Sequence, residues 1–210
     1  ILENINLSNK ILPYLHSIPL DFYHKAHNLL QYQDYEFDFH VPGSLGSYPE
    51  RRKAKKLLTN NSKVYFNLRE LNYALRNDFS INKNVSLMRL VNYSYYDIIK
   101  KSRINFVDGG LMKYVTNKYL EVPSCGSIIL SSENITLDEY GFASGIHYIK
   151  NDGSFDVVLN PDEWTVNYSK IRSNAYELVN EKHSTEIRII QLIYMLEQIM
   201  NSKSKQTFFY

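Results

Sequence analysis

A single cysteine, Cys125, and a single tryptophan stand in 210 residues. One thiol excludes an internal disulfide framework and any zinc site built on several cysteines, so a reducing compartment is the simpler expectation. Glycine and proline are scarce, at 8 and 6 residues, which excludes a collagen-like or linker-rich chain. No apolar run approaches the ~18 residues of a membrane span; candidates such as Ile128-Ile129-Leu130 are far shorter. The opening residues Ile-Leu-Glu-Asn lack the basic stretch and apolar run of a signal peptide. Charge of one sign is lacking too: 24 Lys and Arg against 22 Asp and Glu leave +2. That balance gives no reason to expect nucleic acid as a partner. The expected location is cytoplasmic, at most peripheral to a membrane.

What is present is apolar and aromatic material: 44% hydrophobic residues, with 18 Tyr and 10 Phe. This is enough for one large core or two small ones, and it excludes a disordered chain. Residues 1–36 are irregular and interrupted by Pro13 and Pro19, with one short helix expected over 21–33. Period-two alternation then begins at Phe37-Asp38-Phe39-His40-Val41, the pattern of a strand. Ser47 and Glu50 have capping-box spacing and, with Pro49, open a basic helix to about Leu58. Further strands are expected at 63–67, 103–107, 127–131 and 147–150, helices at 86–101, 168–182 and 187–199, a helical or turn-like stretch at 113–123 and a turn of helix at 139–143. Strands alternating with helices predict an α/β layer sandwich with a mostly parallel sheet. In such sheets ligands bind at the carboxyl ends of the strands, where strand order reverses. The loops after Val41, Val107 and Ser131 are therefore the places to look for chemistry.

The first loop, Pro42-Gly43-Ser44-Leu45-Gly46-Ser47, follows a strand and opens a helix. Gly43 and Gly46 allow close backbone approach, and a helix N-terminus favours phosphate or carboxylate. Arg51 and Arg52 offer a bidentate clamp for a diphosphate. The loop matches neither the Walker A pattern nor the dinucleotide fingerprint. The competing reading is a plain strand-to-helix turn followed by a solvated basic face. The second segment, Lys118-Tyr119-Leu120-Glu121-Val122-Pro123-Ser124-Cys125-Gly126, leads into an apolar strand. A carboxylate there can accept hydrogen bonds from a ribose diol, or it is a capping or surface residue.

This second segment resembles the signature of the group 1 glycosyltransferases, an Arg/Lys-x-x-Glu-x-x-x-x-Gly stretch before a hydrophobic strand. Leu137 to Phe142, Gly145 to Ile149, Asn174-Ala175-Tyr176 and His183 to Arg188 are similar to later segments of that family. Tyr48-Pro49-x-Arg51 is similar to the first helix of its spore-maturation-protein-like branch. The resemblance covers about residues 37–200 in consistent order.

It implies a Rossmann-like nucleotide-sugar-binding domain over 37–200, one half of a GT-B architecture, with an interdomain-type leader at 1–36 and a tail at 201–210. It implies a glycosyltransferase that moves a sugar from a nucleotide-diphosphate donor to a glycan, lipid or protein acceptor, leaning towards retention of configuration. By the same resemblance Glu121 holds the ribose and the loop at Gly43 and Arg51, with Arg52, faces the diphosphate; Ser44, Gly46 and Lys118 are further donor-binding residues. Ser124, Cys125 and Gly126 admit the donor to the backbone; for the donor sugar the alternatives are a contact from the Gly109-Gly110 turn or a cation at 113 that meets the diphosphate instead. Many relatives carry a sugar-contacting Glu eight residues before the ribose-binding one, and here Lys113 occupies that place. Arg51 and Lys113 are the expected catalytic cations, since the departing diphosphate gains negative charge. No cofactor or metal is expected, and no Asp-x-Asp triplet occurs. An acceptor-binding N-terminal domain is expected to be absent from this chain. The alternatives are an inactive nucleotide- or sugar-binding module and an unrelated Rossmann-like protein for another phosphate ligand.

Lesser candidates complete the reading. Asp21, His24 and His27 share one helical face, as metal ligands or as surface residues beside a hinge. Cys125 reads as a nucleophile or, without a base marked nearby, as a small buried residue. His183 suits a helix end as a cation. Tyr93, Tyr95 and Tyr96 offer stacking for bases or a core stripe.

Overall fold

The computed structural model describes residues 35–43, 48–61, 64–67, 96–132, 134, 136–160 and 167–200. The leader 1–34 with its expected helix and Asp21, His24 and His27 lies outside these residues. So do Ser44, Gly46, most of the expected helix 86–101 with Tyr93 and Tyr95, and the tail 201–210.

Five strands form one sheet: β1 (Phe37–Pro42), β2 (Val64–Asn67), β3 (Ser102–Val107), β4 (Ile128–Ser131) and β5 (Ile149–Lys150). All neighbours are parallel and their order is β2-β1-β3-β4-β5. The helices are α1 (Pro49–Leu58), α2 (Lys118–Ser124), α3 (Asp156–Leu159), α4 (Tyr168–His183) and α5 (Thr185–Met200). Residues 96–101 are also helical and feed β3 directly. The expected α/β layer sandwich is thus the observed architecture, with an entirely parallel sheet.

A parallel sheet needs apolar residues on both faces, and the central strands supply them. Phe39 and Val41 of β1, Ile104 and Phe106 of β3, and Ile128 and Leu130 of β4 pack with Ala54 and Leu58 of α1, Phe155, and Val157 of α3. The intervening Val107 and Ile129 face the other side, against Tyr119, Leu120 and Val122 of α2 and Tyr176 and Val179 of α4. Each fully buried Leu, Ile or Phe contributes about 1.5–3 kcal/mol relative to exposure. α1 and α2 therefore cover opposite faces, yet both begin at the carboxyl edge of the sheet.

Three elements sharpen or change the expectation. The stretch 113–123, expected as helix or turn, is both: the helix begins only at Lys118, because Lys113 adopts a left-handed φ of 49° and closes a 3-10 turn at Gly110–Met112. α3 was not expected; it spans four residues and follows Phe155, which itself has φ of 62°. α5 forms as expected, but Ile190 and Ile193, two of the apolar residues whose spacing marks that helix, are 62% and 51% exposed. Among the described residues no helix is long and apolar enough to cross a membrane.

Candidate functional site

Strand order runs outward from β1 to β2 and then returns past β1 to β3. The crevice over the carboxyl ends of β1 and β3 is thus the switch point, the default ligand position in an open parallel sheet. The residues leaving those strands are Gly43 and Asp108. Arg51, in the first turn of α1, sends its Nη2 to 2.7 Å from Asp108 Oδ1, with both side chains only 2% exposed. Its guanidinium also lies 3.5 Å over the Tyr48 ring. Among the described residues the buried Asp108 Oδ2 has no hydrogen-bond partner. Burial raises the Asp108 carboxyl above its ordinary range, while Arg51 and Lys118 oppose that shift.

Gly43 fits this cluster because it has no side chain. Its φ is +101°, and a β-carbon there would lie 2.5 Å from Arg51 Nη1 and 3.6 Å from Lys118 Nζ. Two cations from helices on opposite faces therefore converge on one glycine. Below them, His40 of β1 donates from Nδ1 to Asn105 Oδ1 of β3 at 2.6 Å, a pair in direct register. Burial first, and Lys118 to a lesser degree, lowers the His40 pKa to about 4 despite the Asn105 bond, so this ring is neutral.

Glu121 lies one turn beyond Lys118 on α2, close enough along a helix for neighbouring side chains. It is half-buried and accepts a 3.4 Å hydrogen bond from the Tyr96 hydroxyl. Burial, then the Glu121 charge, pushes the Tyr96 phenol up. Arg52 and Lys113 are exposed. Gly109 and Gly110 leave β3 at the same edge. A β-carbon on Gly109 would come within 2.5–2.6 Å of the Lys113–Tyr114 backbone. That turn is packed by its own chain, and α1 rests against the 3-10 turn that follows it.

Ser124, Cys125 and Gly126 are not brought to this cluster. They end α2 and lead into β4 at the amino edge, where the Ser127 hydroxyl lies 2.7 Å from the Ser102 carbonyl at the start of β3. The length of β3 separates the two edges, roughly 16 Å at ~3.3 Å per residue. Ser124 and Cys125 are buried, and burial pushes the Cys125 thiol up, which removes thiolate character at neutral pH. His183 is likewise buried rather than a helix-end cation. Its Nε2 donates to the Tyr140 carbonyl at 3.0 Å, its Nδ1 faces Arg188, and it stacks on Phe142.

Two features of the carboxyl edge escape sequence reasoning. Asp108 is one, although an acidic residue closing an apolar strand before Gly-Gly was a visible signal. The other is the Tyr119–Ser131 hydroxyl pair, 2.7 Å apart at the exit of β4, where burial pushes the Tyr119 phenol up to about 12. Among the described residues no three His, Cys, Asp or Glu side chains gather in a way that can hold a metal ion.

Comparison with solved structures gives this geometry a context. Anabaena Alr3699/HepE, solved in complex with UDP-glucose, matches at a TM-score of 0.54 and 10% identity over 88% of this chain and 54% of that one. A glycosyltransferase from Rickettsia africae ESF-5 matches at 0.50 and 9% identity, over 89% of this chain and 56% of that one. The chain has the fold of one GT-B domain. A looser likeness, with a TM-score of 0.45 and 11% identity, runs to the C-terminal domain of a group 1 family glycosyl transferase (LpcC) from Francisella tularensis, over 84% of this chain and 98% of that domain. The fold assignment rests on the first two. No family model and no curated protein matches the sequence. The chain spans about half the length of the Anabaena and Rickettsia proteins, at 54% and 56%.

Proposed function

We propose that the chain is the donor-binding domain of a metal-independent glycosyltransferase. It binds a nucleotide-diphosphate sugar at the carboxyl edge of the sheet, for transfer to a glycan, lipid or protein acceptor. The observation that carries the reading is the convergence of Lys118 and Arg51 on Gly43 at the β1/β3 switch point. A fold shared with a protein solved with UDP-glucose adds support. The diphosphate lies over Gly43, and Glu121, one helical turn along α2, accepts from the ribose hydroxyls. As the bond between the sugar's anomeric carbon and the diphosphate oxygen breaks, negative charge grows on that oxygen. A cation beside it stabilises the leaving group. Lys113, at the rim of the Gly109-Gly110 turn, lies on the side assigned to the donor sugar. The acceptor and the group that takes its proton belong to an additional domain of the kind the longer relatives have room for.

Calorimetric titration with UDP, GDP and their sugars tests the reading, with a dissociation constant below millimolar expected for at least one. Glu121→Ala weakens that ligand by about 1–3 kcal/mol, the cost of a lost charged hydrogen bond. Absence of heat with every nucleotide at millimolar concentration overturns the assignment. The second reading, a module that binds without transfer, is favoured by Lys113 standing where relatives carry a sugar-contacting Glu. Binding without donor hydrolysis or transfer by the full-length protein would select it.

A further inference from the structure

Resting on the nucleotide-sugar reading, we propose that Asp108 is a positioning residue: it commits Arg51 to the floor of the switch point and leaves Lys118 as the side chain that meets the ligand's phosphates. The sequence points to Arg51, with Gly43 and Arg52, for the phosphate, because Arg51 opens α1 after a glycine loop. The geometry divides the labour differently.

Arg51 is 2% exposed, with one terminal nitrogen 2.7 Å from an equally buried carboxylate and its plane over the Tyr48 ring. A guanidinium held on two sides in this way has little freedom to follow a ligand. Its charge is largely offset where it stands. Lys118 enters from the opposite face of the sheet and is only half-buried, with its ammonium 3.6 Å from where a β-carbon on Gly43 would stand. An ammonium on a flexible four-carbon stem suits a phosphate as a point charge.

Asp108 has a second, unbonded oxygen among the described contacts, so its carboxylate is under-satisfied and is held in place by the two cations around it. Removing that charge releases Arg51 from its seat against Gly43. Its Nη1 already stands 2.5 Å from where a β-carbon on Gly43 would be, so freeing it lets the guanidinium shift across the surface on which the diphosphate lies. The ion pair therefore fixes the floor of the anion site in one shape, and Lys118 makes the contact to the phosphates.

The test compares UDP with uridine in the full chain. Affinities come from calorimetry for UDP and from ligand-observed NMR for uridine, with circular dichroism to establish that each variant folds. Lys118→Gln is expected to weaken UDP at least tenfold and to leave uridine within twofold. Asp108→Asn is expected to do the same, and Asp108→Glu, which restores the carboxylate, to recover part of the UDP affinity. Parallel loss of UDP and uridine in Asp108→Asn would mean a merely structural role and overturn the inference. So would a gain in UDP affinity, which would make Asp108 a competitor of the ligand. Wild-type protein that binds neither compound would instead overturn the nucleotide reading itself. Should Asp108→Asn fail to fold, Lys118→Gln, at a half-exposed position, still decides: unchanged UDP affinity contradicts the proposal.

Discussion

At the scale of single residues, burial decides which charges are available for chemistry. Arg51 and Asp108 form a buried pair, and breaking one side strands the other in a poor solvent for ions. Arg51→Ala is expected to cost about 3–5 kcal/mol in urea denaturation. Replacing both together by Met and Leu recovers most of that loss, since no unpaired charge remains. A single-variant cost below ~1 kcal/mol, the worth of an exposed pair, would contradict the buried-pair account. His183 gives a pH-dependent counterpart. Burial first, and then the Arg188 charge, lowers its pKa from 6.5 to about 4, despite its bond to the Tyr140 carbonyl. The unfolded chain therefore binds a proton in a range where the folded one does not, and stability rises with pH between about 4 and 6.5. Urea midpoints should fall from pH 7 to pH 5, and His183→Gln should flatten part of that slope. A midpoint that rises on acidification, with the slope unchanged in the variant, would reverse the sign argued here.

At the scale of elements, the strands and long helices were legible because their signals are local. Period two marks β1, and apolar spacing marks α4 and α5. The boundaries that failed were set by backbone conformation rather than pattern. Lys113 in the left-handed region stops one turn and delays α2, and nothing in its chemistry announces that. Only four residues long, α3 is too short for any period to register. Gly109 explains why the first of these turns is fixed: there is no room for a β-carbon against the Lys113–Tyr114 backbone. Gly145, with φ of +77° and nothing within 4 Å of where a β-carbon would stand, carries only the conformational cost. Gly145→Ala should therefore cost about 1–2 kcal/mol. Gly109→Ala should cost more, because main chain must move. Thermal denaturation of both variants checks the order, and equal shifts would contradict it.

At the scale of the whole molecule, the architecture follows from alternating strands and helices, but the site does not. Gly43, Arg51 and Lys118 were all candidates in the sequence. Their convergence depends on a strand order that only long-range pairing fixes. Arg51 and Asp108 are 57 residues apart (108 − 51) in the chain, so no local pattern could reveal the partnership. The Ser124–Gly126 bend shows the converse: it belongs to the same resembling segment as Glu121, yet it lies at the far edge of the sheet. The measurement that addresses the account most directly is a crystal structure of the chain soaked with UDP. The account predicts diphosphate density over Gly43 within hydrogen-bonding reach of Lys118 Nζ, with the ribose towards Glu121 and the Arg51–Asp108 pair intact beneath. UDP bound at the amino edge, or anywhere away from the ends of β1 and β3, would contradict it.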